Sequence, residues 1–264
     1  MLNCFQCSIF YSDIQIHFKL PCTAFISANK RKGTGKMIKG VIFDLDGVLV
    51  STDELHYKAW KRLAGEIGIT GFGREDNKRQ RGVSRMESLE VVLEKGRRHY
   101  SDEEKLVLAD RKNEYYKEML SELDPGALLA GAEQTLEKLR KAGYLIGIGS
   151  ASKNTPMILE KTGIAGYIDK VSCGLDITRS KPDPEVFLVA ARKLELQPGD
   201  CLVVEDSAAG IVAARAGGMK SLGVGPFYDK LGADFAARAL TDVDWDVLLK
   251  EAGRNDREEV LLCL

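Results

Sequence analysis

Val41-Ile42-Phe43-Asp44-Leu45-Asp46-Gly47 is the stretch on which the reading of this chain turns. Its three apolar residues read as a short buried strand, two carboxylates sit two residues apart at the carboxyl end, and a glycine lets the chain turn straight afterwards. If the strand continued, the alternation of side chains would aim Asp44 and Asp46 the same way. Two carboxylates facing one pocket need a cation or a proton between them. The pair therefore suggests a hard divalent metal with oxygen ligands, Mg2+, and leaves a second carboxyl free to shuttle protons. Taken alone, the same residues also read as an acidic strand-to-helix turn with no chemistry.

Further short apolar runs occur at 144–148, 201–204 and 221–224, each followed by a helical pattern. Strands alternating with helices predict an α/β fold, a doubly wound parallel sheet covered on both faces. Between the first and second runs no strand pattern occurs. Apolar residues there recur at spacings of three and four, which predicts helices over 52–67, 85–95, 102–123 and 131–142. The first three read as an inserted helical cap, Asp124-Pro125-Gly126 as a turn near the return, and the fourth as the first helix of the core after it. The expected organisation is a leader at 1–36 that is disordered or an annotation artefact, a core built from 37–51 and 129–264, and a cap at 52–128.

Composition sets the class. The chain has 264 residues, of which 44% are hydrophobic and 29% charged, the balance of a folded cytoplasmic-type protein. A formal charge of -1 gives no global attraction to nucleic acid or an acidic membrane, so an anionic substrate must be held by a local cluster of Lys and Arg. No long apolar run reads as a membrane span. Six cysteines are present; Cys4, Cys7 and Cys22 lie in the leader and Cys173, Cys201 and Cys263 are scattered, so all read as free thiols rather than as a zinc site. The leader has a basic end at Lys30-Arg31-Lys32 but no secretory pattern, and Gly33-Thr34-Gly35-Lys36 lacks the strand a phosphate loop needs. Met37 reads as the functional start, and Val260-Leu261-Leu262-Cys263-Leu264 as a short apolar tail that packs on the core or stays loose.

Open parallel sheets bind ligands at the carboxyl ends of their strands. In this chain polar residues fall there repeatedly: Asp44 and Asp46, then Ser150-Ala151-Ser152-Lys153-Asn154, then Glu205-Asp206-Ser207, with Lys181-Pro182-Asp183-Pro184 just ahead of a helix. Such a set suits phosphoryl transfer, whose charge must be neutralised by metal, lysine and neutral donors together. Asp44, Asp206 and Glu205, with Asp46 beside them, form the candidate metal set. Lys181 supplies a fixed positive charge, and Ser150 with the amides after it would bind phosphate oxygens near a helix start. Singly, Ser150 also reads as a turn, Lys181 as a solvated loop charge and Glu205-Asp206 as part of an N-cap.

The order of these motifs, Asp-x-Asp-Gly, then Ser, then Lys-Pro-Asp-Pro, then Glu-Asp-Ser-x-x-Gly-Ile, closely resembles the haloacid dehalogenase superfamily of aspartyl phosphotransferases, over residues 38–228. The resemblance implies a Rossmann-like core with Asp44 as the nucleophile that becomes a phosphoaspartate and Asp46 as general acid and base. Asp46 implies phosphate rather than halide chemistry. Thr52, His56 and Trp60 at the cap entrance, Gly82-Val83-Ser84-Arg85, and the 150–154 run look like the β-phosphoglucomutase family within it. That likeness implies Arg85 clamping a distal phosphate with Lys153 and Asn154, His56 hydrogen-bonding near Asp46, Thr52 at the hinge, and Gly82 to Ser84 facing the sugar, with Lys112 in the binding set. Arg81 stands where that family usually has Lys. Implied in turn are interconversion of β-D-glucose 1-phosphate and glucose 6-phosphate, Mg2+ as cofactor, hexose phosphates as partners, no nucleic acid or membrane, and a monomer. A sugar phosphate phosphatase on the same scaffold and a non-catalytic sugar phosphate binder are the rivals. For His56 and Trp60 the plain alternatives are a packed helix-surface ring and a core residue; for Arg85, a solvated helix start capped by Ser84.

Overall fold

A computed structural model describes residues 37–80 and 83–253. Arg81 and Gly82, the whole leader with Cys4, Cys7 and Cys22, and the tail with Cys263 lie outside the described residues. The first strand is β1 (Gly40–Phe43), every residue of it buried. Four helices follow: α1 (Asp53–Glu66), α2 (Arg74–Lys78), α3 (Arg85–Leu93) and α4 (Asp102–Leu120). Then come α5 (Ala132–Lys141), β2 (Leu145–Gly149), α6 (Thr155–Lys161), β3 (Lys170–Ser172), α7 (Glu185–Lys193), β4 (Cys201–Glu205), α8 (Ala208–Ala216), β5 (Lys220–Gly223), β6 (Phe235–Ala236) and α9 (Trp245–Ala252). The strands form one parallel sheet in the order β3-β2-β1-β4-β5-β6.

β1 sits at the centre, with Phe43 level with Ile148 on one side and Val204 on the other. Alternation divides its residues between two cores. Val41 and Phe43 pack with Ile146, Ile148, Leu202 and Val204 beneath Leu136, Leu139, Ile158 and Trp245 of α5, α6 and α9. Ile42 and Val203 face the other way, into Val186, Phe187, Ala190, Ala213 and Ala214 of α7 and α8. Helices thus cover both faces, as a doubly wound sheet requires.

The expected strands at 41–43, 144–148, 201–204 and 221–224 are present, and two more flank them. β3 and β6 are three and two residues long, too short to carry a pattern. In the inserted segment α1, α3 and α4 fall where the periodicity predicts, the last two opened by capping boxes, Ser84 with Glu87 and Ser101 with Glu104. The short α2 was not expected. Trp60, Leu63, Phe72, Leu89, Val92 and Leu108 give α1, α3 and α4, with the loop before α2, an apolar cluster of their own. The chain leaves and rejoins the core side by side: Val50 bridges Leu128, the Ser51 amide donates to the Ala127 carbonyl at 2.9 Å, and the Leu129 amide donates to the Leu49 carbonyl at 2.9 Å. Tyr116 and Leu120 carry the far end of α4 into the core cluster beneath. No helix among the described residues is long and apolar enough to cross a membrane.

Candidate active site

The carboxyl ends of β1, β2, β4 and β5 open into a cavity of about 720 Å³, roofed by α1, α3 and α4. Asp44, Asp46, Ser150, Ala151, Ser152, Lys153, Asn154, Lys181 and Asp206 line it from the core. His56, Trp60, Val83, Ser84, Arg85 and Lys112 line it from the helical insert. A void of this size suits a ligand of a few hundred daltons.

The densest charge lies at the strand ends. Lys181 Nζ donates to Asp44 Oδ1 at 2.6 Å and to Glu205 Oε1 at 2.6 Å, and both carboxylates, like the lysine, are buried. Carboxylate oxygens of Asp44, Glu205 and Asp206 lie within 4.8 Å of one another. The buried Asp44 and Glu205 carboxylates share the Lys181 ammonium and Asp206 stands beside them, an oxygen-donor set of the kind that suits a hard divalent cation. Burial pushes the Asp44 carboxyl up to about 7 against the pull of Lys181. For Lys181 burial opposes the charge, but Asp44 and Glu205 more than offset it and hold the ammonium above the ordinary lysine range.

Local sequence explains how these groups are aimed. Gly47 has φ of 83°, and a Cβ there would stand 2.1 Å from an Asp206 oxygen, so only glycine lets the loop after β1 pass this carboxylate. At α8, a Cβ on Gly210 would stand 1.8 Å from Glu205 Oε1. Glu205 is fixed further by the Ser207 amide, which donates to its Oε2 at 2.7 Å, while Ser207 caps α8 by accepting from the Gly210 amide. The Glu-Asp-Ser-x-x-Gly spacing is therefore a way of seating one carboxylate against a helix start.

Asp46 has different company. β1 ends at Phe43, so strict alternation does not continue through the pair. Asp46 lies outside the Asp44, Glu205 and Asp206 cluster, and its Oδ1 accepts a hydrogen bond from the Thr52 hydroxyl. Tyr116 OH donates in turn to Thr52 Oγ1 at 3.1 Å. Burial raises the Asp46 carboxyl, opposed by the Thr52 bond and by Lys181 and Lys112. The hydrogen bond near Asp46 that the family likeness attaches to His56 is made by Thr52. His56 instead stacks on the Tyr116 ring, centroids 4.0 Å apart, with its Nδ1 2.9 Å from Lys112 Nζ. Burial, then Lys112 and Arg85, keep His56 well below its usual range, so it is a neutral imidazole. Lys112 Nζ is also 4.7 Å from the centroids of Trp60 and Tyr116. Trp60 is thus both a core residue of the insert and a wall of the cavity.

At another part of the wall, Arg85 Nη2 and Asn154 Nδ2 donate to the same atom, Asn113 Oδ1, at 3.0 and 2.9 Å. Ser84 is spent on the helix start, accepting from the Glu87 amide at 3.2 Å, as the capping alternative anticipated. Ser150 Oγ accepts from the Ser152 amide and Ser152 Oγ from the Asn154 amide, which curls this loop around the cavity. Asn113 and Tyr116 were missed by sequence reasoning. Their signal was present: Ala109, Lys112, Asn113 and Tyr116 are spaced three, four and seven apart, one face of α4. Cys173 and Cys201 are buried free thiols, as expected, and burial pushes Cys201 up to about 12.

Comparison with known proteins agrees with this geometry. The chain is 40% identical over 216 residues to the β-phosphoglucomutase of Bacillus subtilis, spanning 81% of this chain and 95% of that one. It is 30% identical over 185 residues to a fructose-1-phosphate phosphatase of Escherichia coli, spanning 70% of this chain and 95% of that one. Among solved structures, β-phosphoglucomutase from Clostridium difficile superposes with a TM-score of 0.77 at 35% identity, covering 85% of this chain and all of that one. The haloacid dehalogenase-like hydrolase family matches residues 38–218, and the chain belongs to that family.

Proposed function

We propose that this protein is a phosphomutase interconverting β-D-glucose 1-phosphate and glucose 6-phosphate through a phosphoaspartate and β-glucose 1,6-bisphosphate. The observation that carries the reading is that one cavity holds two unlike polar centres: carboxylates and a lysine at Asp44, and a second set of donors, Arg85 and Asn154, converging from the cap and the core. A monophosphate hydrolase needs only the first. The likeness to two β-phosphoglucomutases, stronger than to the phosphatase, supports the same choice. The cap spans residues 52–128, and the core is formed by 37–51 and the chain after 128.

In this reading phosphorylated Asp44 gives its phosphoryl group to the free 6-hydroxyl of the sugar. The bond from phosphorus to Asp44 breaks, a bond to the sugar oxygen forms, and Asp46 takes the hydroxyl proton. After the bisphosphate turns over, Asp44 attacks the phosphorus at C1 and Asp46 returns its proton to the departing C1 oxygen. Thr52, itself held by Tyr116, orients Asp46 for both transfers. Lys181 balances charge on Asp44. Asp44, Glu205 and Asp206 would hold Mg2+, which when bound neutralises charge on the transferring phosphoryl group. Arg85, Lys153 and Asn154 would grip the other phosphate, with Ser150 and Ser152 near the transferring one; Trp60, Val83 and Ser84 border the sugar, and Lys112 faces it across His56. Arg81 and Gly82 remain part of the proposed set through the family likeness alone. Every group comes from one chain, so a monomer suffices.

The test is to incubate the protein with β-glucose 1-phosphate, Mg2+ and a trace of the 1,6-bisphosphate, and to measure glucose 6-phosphate and free phosphate together. Isomerisation outrunning phosphate release supports the mutase; phosphate release without isomerisation would establish a phosphatase. Asp44→Ala separates either enzyme from a binder, since only an enzyme loses turnover.

A further inference from the structure

We infer that Asn113 is a positioning residue that holds the cap half and the core half of the second phosphate clamp together, its side-chain oxygen standing where a phosphate oxygen will stand. The inference rests on the reading above, because it concerns that second phosphate.

Asn113 belongs to α4 of the cap, Arg85 opens α3 of the cap, and Asn154 precedes α6 of the core. Two donors from two parts of the chain converge on Asn113 Oδ1, at 3.0 Å from Arg85 and 2.9 Å from Asn154. Chemistry fixes which way each amide points. A guanidinium only donates, so Asn113 must present its oxygen to Arg85; Asn154, meeting that same oxygen, must present its NH2. A carbonyl oxygen has two lone pairs, and here both are used. Among the described residues Arg85 also pairs with Asp110, at a looser 3.5 Å from Nη1, and that carboxylate is 80% exposed. Asn113 therefore turns the Arg85 fork into the cavity, away from the solvent side.

Two donors sharing one acceptor are close enough to share one phosphate. In the empty protein the neutral amide keeps them converged; an arriving dianion makes charge-assisted bonds to the same donors, roughly twice as strong as neutral ones, and displaces it. The bond from Asn154 to Asn113 also ties core to cap, so assembling the clamp and closing the cap are one event. An amide suits this task better than its neighbours in size. Aspartate would hold Arg85 in a salt bridge and repel phosphate, whereas alanine would leave the donors unaligned and Arg85 free to turn to Asp110.

The test compares wild type, Asn113→Ala, Asn113→Asp, Arg85→Ala and the Asn113→Ala/Arg85→Ala double variant. Glucose 6-phosphate binding is measured by calorimetry, and KM and kcat of isomerisation are measured alongside. Asn113→Ala should weaken binding and raise KM about tenfold with kcat within about twofold, the scale of losing one aligned hydrogen-bond set. Asn113→Asp should cost about a hundredfold through like-charge repulsion. With Arg85 already removed, Asn113→Ala should add little, because the residue acts through that guanidinium. A fall in kcat at unchanged KM, or full additivity of the two substitutions, would overturn the inference. Wild type that binds glucose 6-phosphate without isomerising β-glucose 1-phosphate would sink the mutase reading while the binding series still judged Asn113; wild type that bound neither sugar phosphate would sink both.

Discussion

The two ends of the cavity are lined by opposite charges. At the strand ends, carboxylates gather: Asp44 and Glu205 share the Lys181 ammonium, and Asp206 lies within 4.8 Å of both. Across the cap face, Lys112 and Arg85 gather beside neutral His56, and among the described residues Arg85 is paired with the exposed Asp110 at 3.5 Å. Burial lifts Asp44 to about 7, and burial together with Arg85 drops Lys112 to about 7. Carboxylate oxygens at one end and cationic donors at the other are the contrast that the proposed metal and substrate-phosphate sites rest on.

The strongest way to break this contrast is to remove the ammonium from the core end. Lys181→Met leaves two buried carboxylates without their ammonium. Stability measured by urea denaturation in EDTA should fall by about 3–5 kcal/mol, the usual cost of orphaning a buried charge, and Mg2+ should recover part of it. Turnover should drop by about 10²–10³. Unchanged stability in EDTA would mean that the carboxylates share protons rather than needing a counter-charge.

A gentler change at the same end moves one ligand without touching charge. Gly210→Ala places a methyl group where Glu205 Oε1 now lies, so the carboxylate must shift. The Mg2+ concentration for half-maximal activity should rise by about 10–100-fold, as when a support of a metal ligand is lost. An unaltered Mg2+ dependence would remove Glu205 from the metal set.

At the cap end the contrast is sharpened by pH. Because Lys112 is held at about 7, it sheds its proton above that value in the free protein and loses its attraction for a phosphate dianion. KM should therefore climb above pH 7, by up to about tenfold per unit, and the climb should vanish in Lys112→Met. Stability runs the other way. Between about pH 7 and the usual lysine range the unfolded chain binds the proton that the folded protein has released, so stability rises with pH there, by at most about 1.4 kcal/mol per unit. Wild type and Lys112→Met with parallel stability curves from pH 7 to 9 would show that Lys112 is charged in the folded state.

The two ends also differ in how far sequence reveals them. Asp44, Ser150, Lys181, Glu205 and Asp206 all follow or approach strand ends in chain order, and parallel topology brings strand ends to one edge whatever the details. Their convergence was legible for that reason. The cap end depends on which face of α4 meets the cavity and on bonds between residues such as Arg85, Asn113 and Asn154 that no short spacing links. Periodicity located α4 but did not say which stripe was functional; Lys112 entered the binding set through the family likeness alone, and Asn113 and Tyr116 beside it were missed. Thr52 was placed at the hinge by resemblance, yet its hydroxyl is what touches Asp46. The short β3, β6 and α2 escaped because two to five residues hold less than one period of any pattern.

The smallest expected effect tests whether the ends are joined. Tyr116 is a cap residue, fully buried, stacked on His56 and bonded to Thr52, which holds Asp46 at the core. Tyr116→Phe keeps the ring and the stacking but deletes the hydroxyl. Thr52 can still donate to Asp46, because the lost bond is one it accepts, so Asp46 stays anchored but less well aimed. Losing one neutral hydrogen bond of about 0.5–1.5 kcal/mol corresponds to a fall in kcat of about 2–10-fold with KM unchanged. Thr52→Val removes the anchor itself and should cost more. If Tyr116→Phe instead raised KM as Lys112→Met does, α4 would serve substrate binding alone, and the proton-carrying end would be insulated from the cap. A kcat effect confined to Thr52 and Tyr116, beside KM effects confined to Lys112 and Asn113, would mean that one face of α4 carries both halves of the contrast, about one turn apart.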